Sequence, residues 1–109
     1  MIKLADVHDI PLEGSIAVAA PAGYAAGYNL MLLRKGLDVY CYINSCPHTG
    51  APLDFIDGRF LAADKQHIQC STHDALFDIH NGRCVAGPCL GQALKSVAIE
   101  LINGEVWLV

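Results

Sequence analysis

Apolar and polar positions alternate over short stretches of this chain, and turn-forming residues separate the stretches. Alternation with a period of two is typical of β-strands that are buried on one side. Strands are predicted at 16–18, 28–33, 37–43 and 97–101, with a last one at 105–109. No segment longer than two helical turns repeats its apolar residues at the helical period. The pattern therefore predicts an all-β fold.

Turn chemistry marks where these strands reverse direction. Residues 21–23 form a predicted loop between the first two strands, and Gly36 ends a short turn after the second. Asn103-Gly104 is the strongest hairpin signal in the chain, because both residue types tolerate a positive φ. The strand that follows contains Trp107, which we expect in the hydrophobic core.

Residues 44–91 differ from the flanking strands because turn-forming residues are frequent there. These residues are Pro47, Gly50, Pro52, Gly58, Gly82, Gly87, Pro88 and Gly91. Such a composition is typical of loops and short strands. We therefore expect one domain over residues 1–109. In it, residues 1–43 and 92–109 form an antiparallel β-sandwich or barrel, and residues 44–91 form an inserted subdomain.

Length and composition fit a small globular protein. A chain of 109 residues corresponds to one domain, and 53% apolar residues are enough for a packed core. The net charge of −4 argues against nucleic acid as a partner. We see no signal peptide and no apolar stretch long enough to cross a bilayer, so we expect a cytoplasmic protein. In that compartment the five cysteines are more often ligands or buried thiols than disulfides.

Four residues form the most informative motif. Cys46 and His48 are separated by one residue and Cys70 and His73 by two, with 21 residues between the pairs. Two thiolates and two imidazoles can hold a 2Fe–2S cluster, with the cysteines on one iron and the histidines on the other. A zinc finger usually places its cysteines together and its histidines together, so the interleaved order leaves zinc as the weaker alternative.

The residues around this motif resemble the Rieske family, in particular the small soluble Rieske ferredoxins. The resemblance rests on residues 46–53, on Phe77-Asp78, on Gly82 and on Gly87-Pro88. It implies the Rieske fold and one 2Fe–2S cluster held by Cys46, His48, Cys70 and His73. It also implies one-electron transfer from a flavin-dependent ferredoxin reductase to a terminal Rieske oxygenase.

The same resemblance implies a docking surface for redox partners around the two histidines. Its expected apolar rim consists of Pro47, Pro52, Leu53 and Pro88. In this family Pro88 belongs to a third loop that covers the cluster. Partner proteins would then approach the cluster closely enough for electron transfer.

Some positions depart from the respiratory Rieske proteins. Those proteins have a disulfide between the two ligand loops, where this chain has Ala51 and Thr72. They also have Ser and Tyr hydroxyls near the cluster sulfurs, where this chain has Ala75 and Phe77. Hydrogen bonds to the sulfurs raise the reduction potential, so their absence predicts a potential at the low end of the Rieske range.

The chain lacks the separate iron site and substrate domain that an oxygenase needs, so we expect a carrier and not an enzyme. The alternative is a small Rieske-type subunit of a larger reductase or oxidase, such as the nitrite reductase small subunit. A third class is a metal-storage or interaction module without redox activity.

The remaining cysteines and histidines have simpler interpretations. Cys41 lies in an apolar strand and is expected to pack as a small apolar residue. Cys84 and Cys89 flank the Gly87-Pro88 turn and are expected to pack there, with ligand duty or a mutual disulfide as alternatives. Three histidines beside polar or turn residues are expected on the surface: His8, His67 and His80.

Overall fold

The computed structural model describes residues 2–21, 28–47, 53, 60–64, 66–70 and 75–109. Nine strands and one 3₁₀ turn lie within these residues. The strands are β1 (Ile2–Asp6), β2 (Ser15–Ala19), β3 (Asn29–Lys35), β4 (Asp38–Ile43), β5 (His67–Gln69), β6 (Leu76–Asp78), β7 (Cys84–Ala86), β8 (Ile99–Ile102) and β9 (Glu105–Leu108), and the 3₁₀ turn is Val7–Asp9. No α-helix occurs in the described ranges, and the all-β prediction is confirmed.

The strands form three antiparallel sheets of three strands each. Their orders are β1-β9-β8, β2-β3-β4 and β5-β6-β7. The Val97 N–H donates to the Cys41 carbonyl at 2.9 Å, and the Ile43 N–H donates to the Lys95 carbonyl at 3.0 Å. These bonds join the edge of the second sheet to the chain that leads into β8.

Strand β3 is the centre of the molecule because it is buried on both faces. Leu30 and Leu32 face one apolar cluster, and Met31 and Leu33 face another. Side chains alternate across a strand, so a run of four apolar residues supplies two cores. The first, here called the terminal core, comprises Ile10, Leu30, Leu32, Cys41, Val97, Val106 and Leu108. The second, here called the loop core, comprises Met31, Leu33, Tyr42, Cys46, Leu53, Phe60, Ile68, Cys70, Ala75, Phe77, Ile79, Cys84, Cys89 and Leu94.

The C-terminal hairpin confirms one prediction and corrects another. Asn103 and Gly104 have φ values of 51° and 76° and join β8 to β9, as two-residue turns of this kind require. Trp107, in contrast, is only half-buried, and its Nε1–H donates to Glu105 at 3.3 Å. Val106 and Leu108 are the buried residues of β9, and the alternation of the strand turns Trp107 to the other face. The expectation that Trp107 lies in the core is wrong.

The third sheet is built from residues between 67 and 86. It packs with the loop core through Ile68, Phe77 and Cys84. Across the part of the chain that the structure describes, no helix is long and apolar enough to span a membrane.

Candidate metal centre

Cys46 follows the end of β4 and is fixed by hydrogen bonds made just before it. The side-chain oxygen of Asn44 accepts from the Leu53 N–H at 2.7 Å. The Asn44 N–H in turn donates to the Asn29 carbonyl at 2.8 Å. Asn44 is 3% exposed, and its buried side-chain oxygen is satisfied by the hydrogen bond from the Leu53 N–H. The two bonds tie the start and end of residues 44–53 to the first residue of β3.

Cys70 follows β5 directly, and its position is set by the hairpin between β5 and β6. Its N–H donates to the Ala75 carbonyl at 2.9 Å, immediately before β6 begins. The strands on both sides pair in register, with Gln69 opposite Leu76. The second ligand segment is therefore closed at its base by main-chain hydrogen bonds.

A third segment, Gly87 to Leu90, packs against the second. Gly87 has a φ of 97°, and a Cβ at this position would lie 2.8 Å from the Ala75 Cα. The segment is shaped by a 2.9 Å bond from the Gln92 N–H to the Cys89 carbonyl. Only glycine combines this conformation with so close an approach.

Three thiols of the loop core belong to these three segments. Cys46 is 1% exposed, and Cys70 and Cys89 are both 0% exposed. The sulfurs of Cys46 and Cys89 lie 3.8 Å apart. This distance is far longer than the roughly 2.05 Å of a disulfide, and all five cysteines of the chain are thiols. Cys84 and Cys89 are both free thiols, so the disulfide between them, left open from the sequence as an alternative to packing, is not formed.

The two histidines of the motif, His48 and His73, lie outside the described residues, as do Ala51 and Thr72. The structure brings Cys46 and Cys70 into one core. Their two histidine partners remain predictions.

Another group of ligand-type side chains lies elsewhere. In the described ranges, Asp6, His8 and Asp9 are the one group of three or more whose ligand atoms lie within 4.8 Å of one another. Lys3 bonds Asp6 at 2.9 Å, and the Asp9 carboxylate accepts from the Asp6 N–H at 3.1 Å. These contacts explain why the three side chains lie close together at the surface without the need for a metal ion. The thiols of Cys46, Cys70 and Cys89 do not form a comparable three-way group.

The other cysteines have the packing roles that the sequence predicts. Cys41 belongs to the terminal core, and burial raises the pKa of its thiol to about 12. The thiol packs with apolar side chains of the terminal core and not with Cys46 and Cys70, which belong to the loop core. Cys84 is 7% exposed, and its thiol donates to the Ala86 carbonyl at 3.2 Å.

The remaining histidines lie at or near the surface. His8 is exposed, and exposed His80 bonds the Tyr40 hydroxyl at 2.9 Å. His67 is half-buried and contacts Asp64 at 3.0 Å. The expectation of surface histidines is confirmed for His8 and His80. His67 is more enclosed than expected, because it begins β5 and pairs with Asp78 of β6.

Sequence reasoning misplaced one residue and missed another. Leu53 is 0% exposed and belongs to the loop core, so its assignment to an exposed apolar rim is wrong. Its neighbourhood is fixed by Asn44, which sequence reasoning did not single out. A polar residue directly between an apolar strand and a ligand motif is a signal that could have revealed it. Pro88 is exposed, as expected.

The donor set fits an iron–sulfur cluster. Thiolate sulfur is a soft ligand, and two buried thiols that end separate hydrogen-bonded segments match the cysteine half of such a site. Iron binds cysteine in its thiolate form, which the metal stabilises. When bound, a 2Fe–2S cluster supplies a site that accepts and releases one electron.

Comparison with known proteins identifies the class. The sequence matches the family model of the Rieske [2Fe-2S] domain over residues 1–100. The chain therefore belongs to the Rieske family, whose domain carries a 2Fe–2S cluster. No curated protein sequence matches it.

Solved structures share the fold. The ferredoxin of carbazole 1,9a-dioxygenase from Nocardioides aromaticivorans IC177 is 24% identical, with a TM-score of 0.76 over 99% of this chain and 95% of that chain. The Sphingomonas yanoikuyae B1 ferredoxin is 23% identical, with a TM-score of 0.76 over 98% of this chain and 95% of that chain. The terminal oxygenase of the Nocardioides enzyme is 21% identical, with a TM-score of 0.78 over 98% of this chain but 29% of that chain. The same fold thus forms whole ferredoxins and one part of larger oxygenases.

Proposed function

We propose that this protein is a one-electron carrier with a Rieske 2Fe–2S cluster, which passes electrons from a reductase to a terminal oxygenase. The observation that carries the proposal is the pair of buried thiols, Cys46 and Cys70, at the ends of two hydrogen-bonded segments of a Rieske-family fold. A redox centre in this position needs no further catalytic group to transfer an electron.

The proposed ligands are Cys46 and Cys70 on one iron and His48 and His73 on the other. The proposed cluster-binding subdomain is residues 44–91, inserted into a basal fold of residues 1–43 and 92–109. The separate third sheet of β5, β6 and β7 supports this division, because all three of its strands come from the inserted part.

The proposed partners are a flavin-dependent ferredoxin reductase and a terminal Rieske oxygenase. A solved structure of similar fold is a complex of reduced oxygenase and oxidized ferredoxin in carbazole 1,9a-dioxygenase, 22% identical with a TM-score of 0.78. That pairing supports the oxygenase as electron acceptor. The reductase and a cytoplasmic location are proposed from the sequence and are tested by co-purification and by cell fractionation.

The cluster assignment is tested by changing each of the four proposed ligands singly to alanine. Bound iron and acid-labile sulfide should fall to a small fraction of the wild-type amount, and the Rieske EPR signal should disappear. Cys41→Ala is the matched control, because it removes a buried thiol of the terminal core and should leave both amounts unchanged. Wild-type protein that contains zinc and no sulfide would contradict the proposal.

The carrier function is tested by rapid mixing. The reduced protein should reoxidise in one phase when mixed with a terminal Rieske oxygenase, and should do so far more slowly with the oxygenase omitted. Stable co-purification with a large reductase subunit, together with no transfer to an oxygenase, would support the alternative of a small reductase subunit.

A further inference from the structure

Cys89 is a buried thiol that the proposed ligand set does not use. It lies two residues after Gly87, in the segment that packs against Ala75. Its sulfur is 3.8 Å from that of Cys46, within the distance of a hydrogen bond between two sulfur atoms. Both side chains are almost completely excluded from solvent.

The direction of this hydrogen bond follows from the chemistry of the site. A cysteine that binds iron does so as a thiolate and carries no proton, so Cys46 can only accept. Cys89 must then be the donor. A hydrogen bond to a charged acceptor in a buried environment is stronger than one between neutral groups.

We infer that Cys89 is a positioning residue whose S–H group donates to the Cys46 sulfur and thereby raises the reduction potential of the cluster. The inference rests on the proposed ligand role of Cys46. The reduced cluster carries one more negative charge than the oxidised cluster, and part of that charge resides on the ligand sulfurs. A donor aimed at such a sulfur therefore stabilises the reduced state more than the oxidised state.

The Cys89 segment is held in a way that preserves this contact. The close approach of Gly87 to Ala75 limits the movement of the segment on one side. The bond from the Gln92 N–H to the Cys89 carbonyl limits it on the other.

The test compares holoprotein of the wild type, Cys89→Ala, Cys89→Ser and Cys84→Ala. Protein-film voltammetry gives the potential, and resonance Raman spectra in H₂O and D₂O give the Fe–S stretches. In Cys89→Ala the equilibrium constant for reduction should fall by about threefold to tenfold, where tenfold corresponds to about 59 mV. The deuterium shift of the Fe–S(Cys) bands should become smaller.

The other two variants separate a donor from a packing residue. Cys89→Ser keeps a donor and should recover at least half of the potential lost in Cys89→Ala. Cys84→Ala removes a buried thiol that already donates to the Ala86 carbonyl, and should leave the potential unchanged. Iron and sulfide content is measured first in every variant.

Three outcomes would overturn the inference. Loss of the cluster from Cys89→Ala would make Cys89 itself a ligand. An unchanged potential in an intact Cys89→Ala holoprotein would show that the hydrogen bond from Cys89 does not tune the cluster. That result would leave the proposed function in place. Equal potentials for Cys89→Ser and Cys89→Ala would assign the effect to packing. Failure of the proposed function is recognised separately, by an intact cluster in Cys46→Ala.

Discussion

Tyr42 connects β4 to the loop core through one buried hydrogen bond. Its hydroxyl donates to the Ile79 carbonyl at 2.6 Å, and the residue is 2% exposed. Burial, with a smaller contribution from the charge of Asp78, raises the pKa of Tyr42 from 10.0 to about 12. The folded state therefore holds this proton more tightly than the unfolded state.

This shift predicts how stability changes at alkaline pH. The contribution of Tyr42 is complete below pH 10, the unfolded value, and is lost as the pH rises towards about 12. Tyr42→Phe should be less stable at pH 7 by about 1–2 kcal/mol, because the Ile79 carbonyl loses its donor. The difference in urea midpoint between wild type and variant should shrink as the pH is raised above 10. A difference that stays constant up to pH 12 would contradict the argument.

The residues beside the second ligand segment predict a low reduction potential. Ala75 and Phe77 are fully buried in the loop core and carry no hydroxyl. We expect the midpoint potential to lie below zero, within the Rieske range of roughly −150 to +300 mV, and to be nearly flat around neutral pH. Voltammetry between about pH 6 and about pH 9 measures both the midpoint potential and its dependence on pH. A strongly positive midpoint would show that other donors outweigh the missing hydroxyls.

For individual residues, the sequence predicted chemical role more accurately than it predicted burial. The spacing of Cys46 and Cys70 predicted two thiols with a shared role, and both lie in one core. Leu53 was expected at the surface because the resemblance to Rieske proteins implies an apolar docking rim around the two histidines. Leu53 is instead packed in the loop core, and its N–H bonds the side chain of Asn44 nine positions earlier, a contact that no local pattern reveals.

At the level of elements, strands with internal alternation or clear turns were predictable. The β3–β4 and β8–β9 hairpins were found because Gly36 and the Asn103-Gly104 pair mark their turns. Strand β1 was missed, because its pairing with β9 joins opposite ends of the chain and has a register shift between Lys3 and Ala5. The pairing partner, and not the local sequence, makes these residues a strand.

The segment after β7 depends on glycine for a steric reason. Gly87→Ala would introduce a Cβ 2.8 Å from the Ala75 Cα at a φ of 97°. We expect the variant to lose stability by more than the roughly 1–2 kcal/mol that a positive φ alone costs, and to retain less iron. The urea midpoint and the iron content measure the two effects.

Gly91→Ala is the matched control for this prediction. Gly91 has a φ of 89°, but nothing lies within 4 Å of the position of its Cβ. The variant should show the conformational cost only and should keep its iron. Equal losses in the two variants would mean that the contact between Gly87 and Ala75 is unimportant for the site.

For the molecule as a whole, the corrected burial changes the expected docking surface. Leu53 is buried, whereas Pro88 and Leu90 are exposed on the segment that carries Cys89. Leu90 is 65% exposed. Among the described residues, the exposed apolar side chain beside the proposed site that we take as the contact is therefore Leu90 of the third segment.

Substitution of this contact should slow electron transfer without altering the cluster. Leu90→Asp should reduce the second-order rate constant with the oxygenase by about tenfold, the equivalent of losing one apolar contact of about 1.4 kcal/mol. The EPR spectrum and iron content should remain those of the wild type.

Leu37→Asp is the control, because Leu37 is 84% exposed at the β3–β4 turn, at the opposite end of that hairpin from Cys46. Both variants add the same charge, so long-range electrostatics, which salt screens, should affect them similarly. Stopped-flow measurements at two ionic strengths separate this shared effect from the local contact. If Leu37→Asp slows transfer as much as Leu90→Asp, partners do not dock over the Cys89 segment.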